Sequence, residues 1–214
     1  VDLLMAYLAR CFVKRKERKE RKKMARRNIS ELEKTLDHTF KNQDYIKQAL
    51  VHRSYINEHP SFPLGQNERL EFLGDAVLEL VVTEYLFNKY PDSPEGELTN
   101  WRASLVNTKS LSDVATMITL NNYLYLSHGE SKDDKSKARL IILANAVEAT
   151  IGALYLDAGI EVAKKFIDKY FISRLPYILE HNLHIDPKSS LQEKIQETDG
   201  VTPSYRVLEE KGPD

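Results

Sequence analysis

The chain has 214 residues, 31 of them Lys or Arg and 32 Asp or Glu, for a formal net charge of −1. Its apolar fraction of 42% and charged fraction of 29% are ordinary for a globular domain and exclude a disordered or fibrous chain. One cysteine, Cys11, excludes an intrachain disulfide framework, can be read simply as a small hydrophobe, and suits a reducing, cytoplasmic compartment.

The near-zero charge conceals an asymmetry. Residues 14–27 hold ten lysines and arginines against Glu17 and Glu20, a net +8; Asp2 and Arg10 cancel, so residues 28–214 carry −9. A basic arm therefore precedes an acidic body. Such an arm can bind phosphates, although most charge runs are simply solvated. The thirteen residues before it, VDLLMAYLARCFV, are apolar but interrupted by Arg10. They precede their positive run, whereas a secretory signal follows it, and they fall short of the ~20 residues of a bilayer span. Residues 1–28 are read as an N-terminal extension. No membrane partner is expected, although the chain lacks an initiator Met and a longer upstream segment stays open.

Runs rich in Leu, Ala, Glu and Lys, with few glycines, predict an all-α body. A short helix is expected over Ile29–Leu36, capped by Asn28 or Ser30, and another over Asp44–Val51. Asn57–Gln66, with Pro60, Pro63 and Gly65, reads as a loop. NERLEFLGDAVLELVV, residues Asn67–Val82, opens a long helix that runs to about Lys89 and stops at Tyr90-Pro91. Helices over Glu95–Val106 and Ser110–Ile118 follow, then the polar loop SHGESKDDKSK. ARLIILANAVEATIGALYLD forms a second long apolar helix, ended by Asp157-Ala158-Gly159. An amphipathic helix continues over Ile160–Glu180, bent near Pro176. Residues 181–187 have the polarity of a linker. Beyond them SSLQEKIQE reads as a short helix, Asp199-Gly200 as a turn and PSYRVLEE as an alternating strand. A lone strand cannot make a sheet, so residues 188–214 read as the beginning of a second, α/β domain.

The two long apolar helices carry the chemistry. In the first, Glu68, Glu71 and Asp75 fall on one stripe at i, i+3 and i+7, although the residues between them leave almost no polar face. In the second, Asn145 and Glu148 share a face. If the helices pack together, Glu71, Asp75, Asn145 and Glu148 converge. An unpaired buried carboxylate costs several kcal/mol or takes up a proton. Protonated pairs, or Arg69 and Arg139 as partners, are one remedy; a divalent cation is the stronger one. With no His or Cys in the set, all-oxygen ligation suits Mg²⁺ or Mn²⁺ rather than zinc or di-iron. Metal-assisted phosphodiester hydrolysis is the chemistry such a set supports, and spacing alone does not name the substrate.

NERLEFLGDAVL, with ALVHRSY before it and EGELTNWRASLVN and ANAVEATIGALYLD after it, resembles the ribonuclease III family. The resemblance covers about residues 29–180. DPKSSLQEKIQE and PSYRVLEEKGPD are similar to the start of that family's double-stranded-RNA-binding domain, too little of it to fold or bind alone. The resemblance implies an all-helical endonuclease domain over 29–180 and a homodimer acting in RNA processing, such as that of ribosomal precursor or messenger RNA. It implies cleavage of double-stranded RNA with Mg²⁺, or Mn²⁺ as substitute, leaving 5′-phosphates and short 3′ overhangs. Residue by residue, it implies Glu71, Asp75 and Glu148 as metal ligands, with Asp75 and Glu148 central to catalysis. Glu68 and Glu95 would be supporting acids, and Phe72 would enter a socket on the partner subunit. Gln192 and Glu193 would lie on the helix that faces the RNA minor groove.

Without the resemblance, Glu68 and Glu95 read equally as surface charge, Phe72 as a core residue and His52 as a structural histidine. Gly74 costs about 1 kcal/mol in a helix relative to Ala, which marks a close approach of the metal site or a neighbouring backbone. One position departs from the family: Asn145 stands where Asp is usual. Its carbonyl oxygen can still face a cation, but four formal charges become three. Weaker metal affinity is expected, and the alternative is a dimeric double-stranded-RNA-binding protein with weakened catalysis.

Overall fold

The structure, a computed structural model, describes residues 28–132, 136–185 and 187–209; the apolar and basic stretches read at the N-terminus lie outside them. Among the described residues the chain forms ten α-helices. Short polar caps start several of them. After α1 (Ile29–Leu36), which ends on Asp37 in the left-handed region (φ 55°), α2 (Gln43–Ala49) is capped by Asn42, whose side chain accepts from the Asp44 amide at 3.0 Å. His52 caps α3 (Arg53–Glu58) by accepting the Ser54 amide on Nδ1 at 3.3 Å. Next come α4 (Glu68–Lys89), α5 (Glu95–Val106) and α6 (Thr108–Met117). Ser136 caps α7 (Lys137–Ala158), followed by α8 (Ile160–Tyr170), α9 (Leu175–Glu180) and α10 (Pro187–Asp199).

The centre of the fold is α7, packed against α2, α4, α6 and α8. Ala146, Val147, Ala149, Ile151, Ala153 and Leu154 are fully buried, which explains why the helix shows no polar face. By length and composition α7 could cross a membrane; here its apolar surface is the core of a bundle. Its C-terminal end is tied to the loop between α1 and α2. The Asp157 carboxylate accepts from His38 Nε2 at 2.8 Å and from the amides of Lys41 and Asn42 at 3.0 and 2.8 Å.

Three elements differ from expectation. The short helix α3 occupies a stretch with no apolar period; burial of Tyr55 and the His52 cap hold it. The helix expected over Ile160–Glu180 is two helices, separated by a 3₁₀ turn at Ile172–Arg174. Pro176 sits in the first turn of α9, where its missing N–H costs nothing; in a continuous helix its ring would meet the carbonyl four residues earlier. The strand expected over PSYRVLEE does not form: residues 202–209 carry no regular structure. Among the described residues the only β-type pairing is the isolated parallel bridge Val51–Tyr125. A strand without neighbours gains neither ladder hydrogen bonds nor burial, and Leu208 remains 88% exposed.

Candidate active site

The site is built where α4 and α7 touch backbone to backbone. A Cβ on Gly74 would come within 2.6 Å of the Glu148 carbonyl carbon and 2.8 Å of the Gly152 nitrogen; one on Gly152 would come within 3.2 Å of the Gly74 nitrogen. Both glycines are therefore required for the crossing, and their helix-propensity cost is offset by this contact. The expectation that Gly74 marks a close backbone approach holds. Its counterpart Gly152, at the start of GALYLD, was missed, although a glycine inside an otherwise strong helix is the same signal.

This crossing places Glu71 and Asp75 of α4 in the electrostatic field of Glu148 on α7. Burial, followed by the Asp75 and Glu71 carboxylates, pushes the Glu148 carboxyl up to about 8. Glu71 is also raised, by burial and then by Glu68, with Asp75 adding a smaller push; a side-chain hydrogen bond from Asn145 pulls the other way. A bond that favours the charged carboxylate is one it accepts, so the Asn145 amide donates to Glu71. Glu71, Asn145 and Glu148 are half-buried and Asp75 is exposed. The acidic side chains are thus reachable from solvent on the Asp75 side.

Nothing cationic in the described protein relieves these charges. Arg69 is exposed, and Arg139 Nη1 donates to the Glu130 carbonyl at 3.2 Å. None of the ion pairs among the described residues includes Glu71, Asp75 or Glu148. Equally, among the described residues no three Asp, Glu, His or Cys side chains stand close enough to enclose an ion as they are. The carboxylates are still near enough to repel, since Asp75 and Glu71 both raise Glu148. The donor chemistry nevertheless fits a hard divalent cation, being all oxygen with no imidazole or thiolate.

The remaining sequence candidates divide. Glu68 is exposed, accepts from Gln66 Nε2 at 2.8 Å and lies 3.9 Å from Arg53, yet it is near enough to raise Glu71. Glu95 is not brought to the acids. It lines a cavity of about 590 Å³ with Thr83, Leu86, Phe87, Leu98 and Arg102, around the far end of α4, which is about 16 Å along the helix from Asp75. Phe72 is 81% exposed, which overturns its reading as a core residue. It continues into an exposed apolar stripe with Leu80 and Phe87, bordered by a groove of about 370 Å³ formed by Leu73, Ala76, Val77, Leu80, Tyr155 and Ile160. His52 is structural, as expected: burial lowers its pKa and its ring caps α3. Gln192 is half-buried on α10; the side chain of Glu193 lies outside the described residues.

An all-α domain with carboxylates gathered at the crossing of its two longest helices has the architecture of a helical endonuclease. A family model described as Ribonuclease-III-like matches residues 42–175. Ribonuclease 3 of Chloroflexus aurantiacus is 42% identical over 188 residues, covering 87% of this chain and 76% of that protein. Ribonuclease 3 of Sulfurovum sp. is 46% identical over 187 residues, covering 87% and 81%. Among solved structures, the nuclease domain of ribonuclease III from Campylobacter jejuni is 42% identical with a TM-score of 0.60, covering 68% of this chain and 99% of that one. That structure is described for flexibility in a region involved in dimer formation. The chain belongs to the ribonuclease III family and is an endoribonuclease of that type, a family that is in general metal-dependent.

Proposed function

We propose that the protein works as a homodimer that hydrolyses phosphodiesters of double-stranded RNA with Mg²⁺, or Mn²⁺ in its place, leaving 5′-phosphates and 3′ overhangs. The observation that carries this reading is the cluster of Glu71, Asp75 and Glu148 at the α4–α7 crossing, with no cationic side chain among the described ion pairs to balance it. These three carboxylates would hold the cation, and Asn145 would either offer its carbonyl oxygen or keep its amide on Glu71. When bound, the cation supplies a water of lowered pKa and charge neutralisation at a phosphoryl oxygen. The protein's own part is to give up the proton that Glu148 holds near neutral pH, to fix Glu71 through Asn145, and to orient Asp75 at the open side where a phosphodiester can enter.

The exposed stripe on α4 supports the dimer. Phe72 and Phe87 flank a midpoint between Glu79 and Leu80. A two-fold axis there sets Phe72 of one protomer against the Phe87 end of its partner, since each contact in such an interface is made twice. The cavity at that end would receive the phenylalanine, and the partner subunit's Glu95 would come to lie beside the acidic cluster. Residues 29–180 form the endonuclease domain in this reading. Residues from 188 onward, including Gln192 and Glu193 on α10, begin a double-stranded-RNA-binding domain. The single cysteine suits work in the cytoplasm.

Incubating an RNA duplex with the protein and Mg²⁺, beside Glu148→Gln, tests the proposal. The unaltered protein should cut the duplex and spare a single strand, while the variant binds and does not cut. Binding without cleavage by the unaltered protein, in Mg²⁺ and in Mn²⁺, would favour the alternative in which Asn145 disables catalysis.

A further inference from the structure

We infer that residues 182–185 act as a releasable latch: His184, laid against Trp101, holds the chain leading into α10 on the back of the cavity that would take Phe72 of the partner, and so couples the placement of this segment to the strength of the dimer. This rests on the dimer reading above. The segment has the polarity of a linker, yet its backbone is set by defined bonds. The helix α9 packs on α5, with Leu175 and Ile178 buried. It ends in a Schellman turn: the Asn182 amide donates to the Leu179 carbonyl at 3.2 Å and the Leu183 amide to the Ile178 carbonyl at 3.0 Å. Asn182 takes the left-handed conformation that such a turn needs, with φ 53°, one that asparagine tolerates better than most residues. The Ile185 amide then donates back to the Asn182 carbonyl at 3.3 Å.

What this turn delivers runs against the usual order of burial. Leu183 and Ile185 are 60% and 47% exposed, while the residue between them turns inward. The His184 ring meets Trp101 of α5 edge to face, the centroids 6.3 Å apart and the planes at 90°. Its Nδ1 is buried and makes no hydrogen bond among the described residues. An edge-to-face contact is favourable, but a buried polar atom without a partner gives up hydration that it regains on release. Gain and cost oppose each other, so the contact holds the segment without fixing it. Trp101 passes the contact on. Its ring lies 4.9 Å from that of Tyr90 at 71°, and Tyr90 stands at the end of α4, its amide donating to the Leu86 carbonyl at 3.0 Å. Tyr90 and Leu98, the latter one turn before Trp101 on α5, line the cavity beside Phe87 and Glu95. His184, Trp101 and Tyr90 therefore form one row of rings from the segment to the cavity wall. The docked segment braces that wall from behind, and a phenylalanine in the cavity braces it from the front, so each favours the other to the same degree.

The test uses the full chain and two variants: His184→Ala, which removes the ring, and His184→Phe, which keeps a ring and has no nitrogen to bury. Trp101 is the only tryptophan, so its emission reports the contact directly. Sedimentation over a concentration series gives the dimer constant, with circular dichroism as a check on the helices. His184→Ala should shift the emission to the red and weaken the dimer by roughly two- to ten-fold, the worth of one aromatic pair. His184→Phe should keep the emission of the unaltered protein and dimerise at least as tightly. Equal dimer constants in all three proteins overturn the inference even where the emission moves, because the segment then lies on Trp101 without reaching the cavity. So does an unmoved emission in His184→Ala, or a dimer weakened as much by phenylalanine as by alanine. An unaltered chain that stays monomeric at every concentration shows that the dimer reading itself has failed, and the inference fails with it.

Discussion

Replacing Glu148 by glutamine should stabilise the metal-free protein, by an amount that grows as the pH rises from the ordinary carboxylate value of 4.5 to about 8. Burial and the Asp75 and Glu71 carboxylates push Glu148 from its ordinary 4.5 to about 8. Between those values the folded state holds a proton that the unfolded chain has released. Stability therefore falls as pH rises through that window. The gap corresponds to nearly 5 kcal/mol, at about 1.4 kcal/mol per pH unit, if nothing relieves it; screening of the partly exposed carboxylate reduces this to about 2–3 kcal/mol. Glutamine keeps the shape and cannot ionise. In chelator at pH 8, Glu148→Gln should melt roughly 5–10 °C above the unaltered protein, at about 2–4 °C per kcal/mol for a chain of this size. At pH 5 both side chains are neutral in the folded state and the gap should largely close. Differential scanning fluorimetry at the two pH values reads both numbers. An equal gain at pH 5 and pH 8, or none at pH 8, would refute the account of Glu148 as a carboxylate destabilised by its neighbours.

Phe72→Ala should leave the helices intact by circular dichroism, because Phe72 is 81% exposed within a protomer, yet weaken the dimer by about 3–5 kcal/mol if the ring is buried there; an unchanged sedimentation profile would remove Phe72 from the interface. Gly74→Ala should cost about 3 kcal/mol or more, because its methyl group overlaps the Glu148 carbonyl and must push two core helices apart. Gly96→Ala meets nothing within 4 Å and should stabilise α5 by up to ~1 kcal/mol; thermal melting that ranks the two alike would contradict the crossing. Asn145→Asp replaces a hydrogen-bond donor to Glu71 with a further charge, so melting should fall in chelator and rise more on adding Mg²⁺. A flat response to Mg²⁺ in both proteins would place Asn145 outside the site.

The sequence was most legible where burial dictates period. The run that became α7 is apolar on nearly every face because four helices enclose it, whereas α4 buries one face along α7 and leaves Phe72, Leu80 and Phe87 exposed on another. Carboxylates inside such runs were conspicuous for that reason. It was least legible where a single contact decides. Helix α3 is six residues long and depends on one buried tyrosine and one cap, neither of which leaves a periodic trace. Phe72 looked like core because period cannot distinguish a side chain buried within one protomer from one left bare on its surface. Glu95 shares its acidity with Glu71 and Asp75, but only the path of α4 shows that it lies at the opposite end of that helix. The alternation of PSYRVLEE was real as a pattern, and among the described residues it has no neighbouring strand to pair with.

Binding of Mn²⁺ followed by electron paramagnetic resonance tests the central claim most directly, because free and bound ions give distinct signals and no turnover is needed. The unaltered protein should bind Mn²⁺, Mg²⁺ should displace it, and Glu71→Gln combined with Glu148→Gln should abolish binding while the helices stay folded. If the double variant binds Mn²⁺ as tightly as the unaltered protein, the carboxylates at the α4–α7 crossing do not hold the cation and the account of the site is wrong.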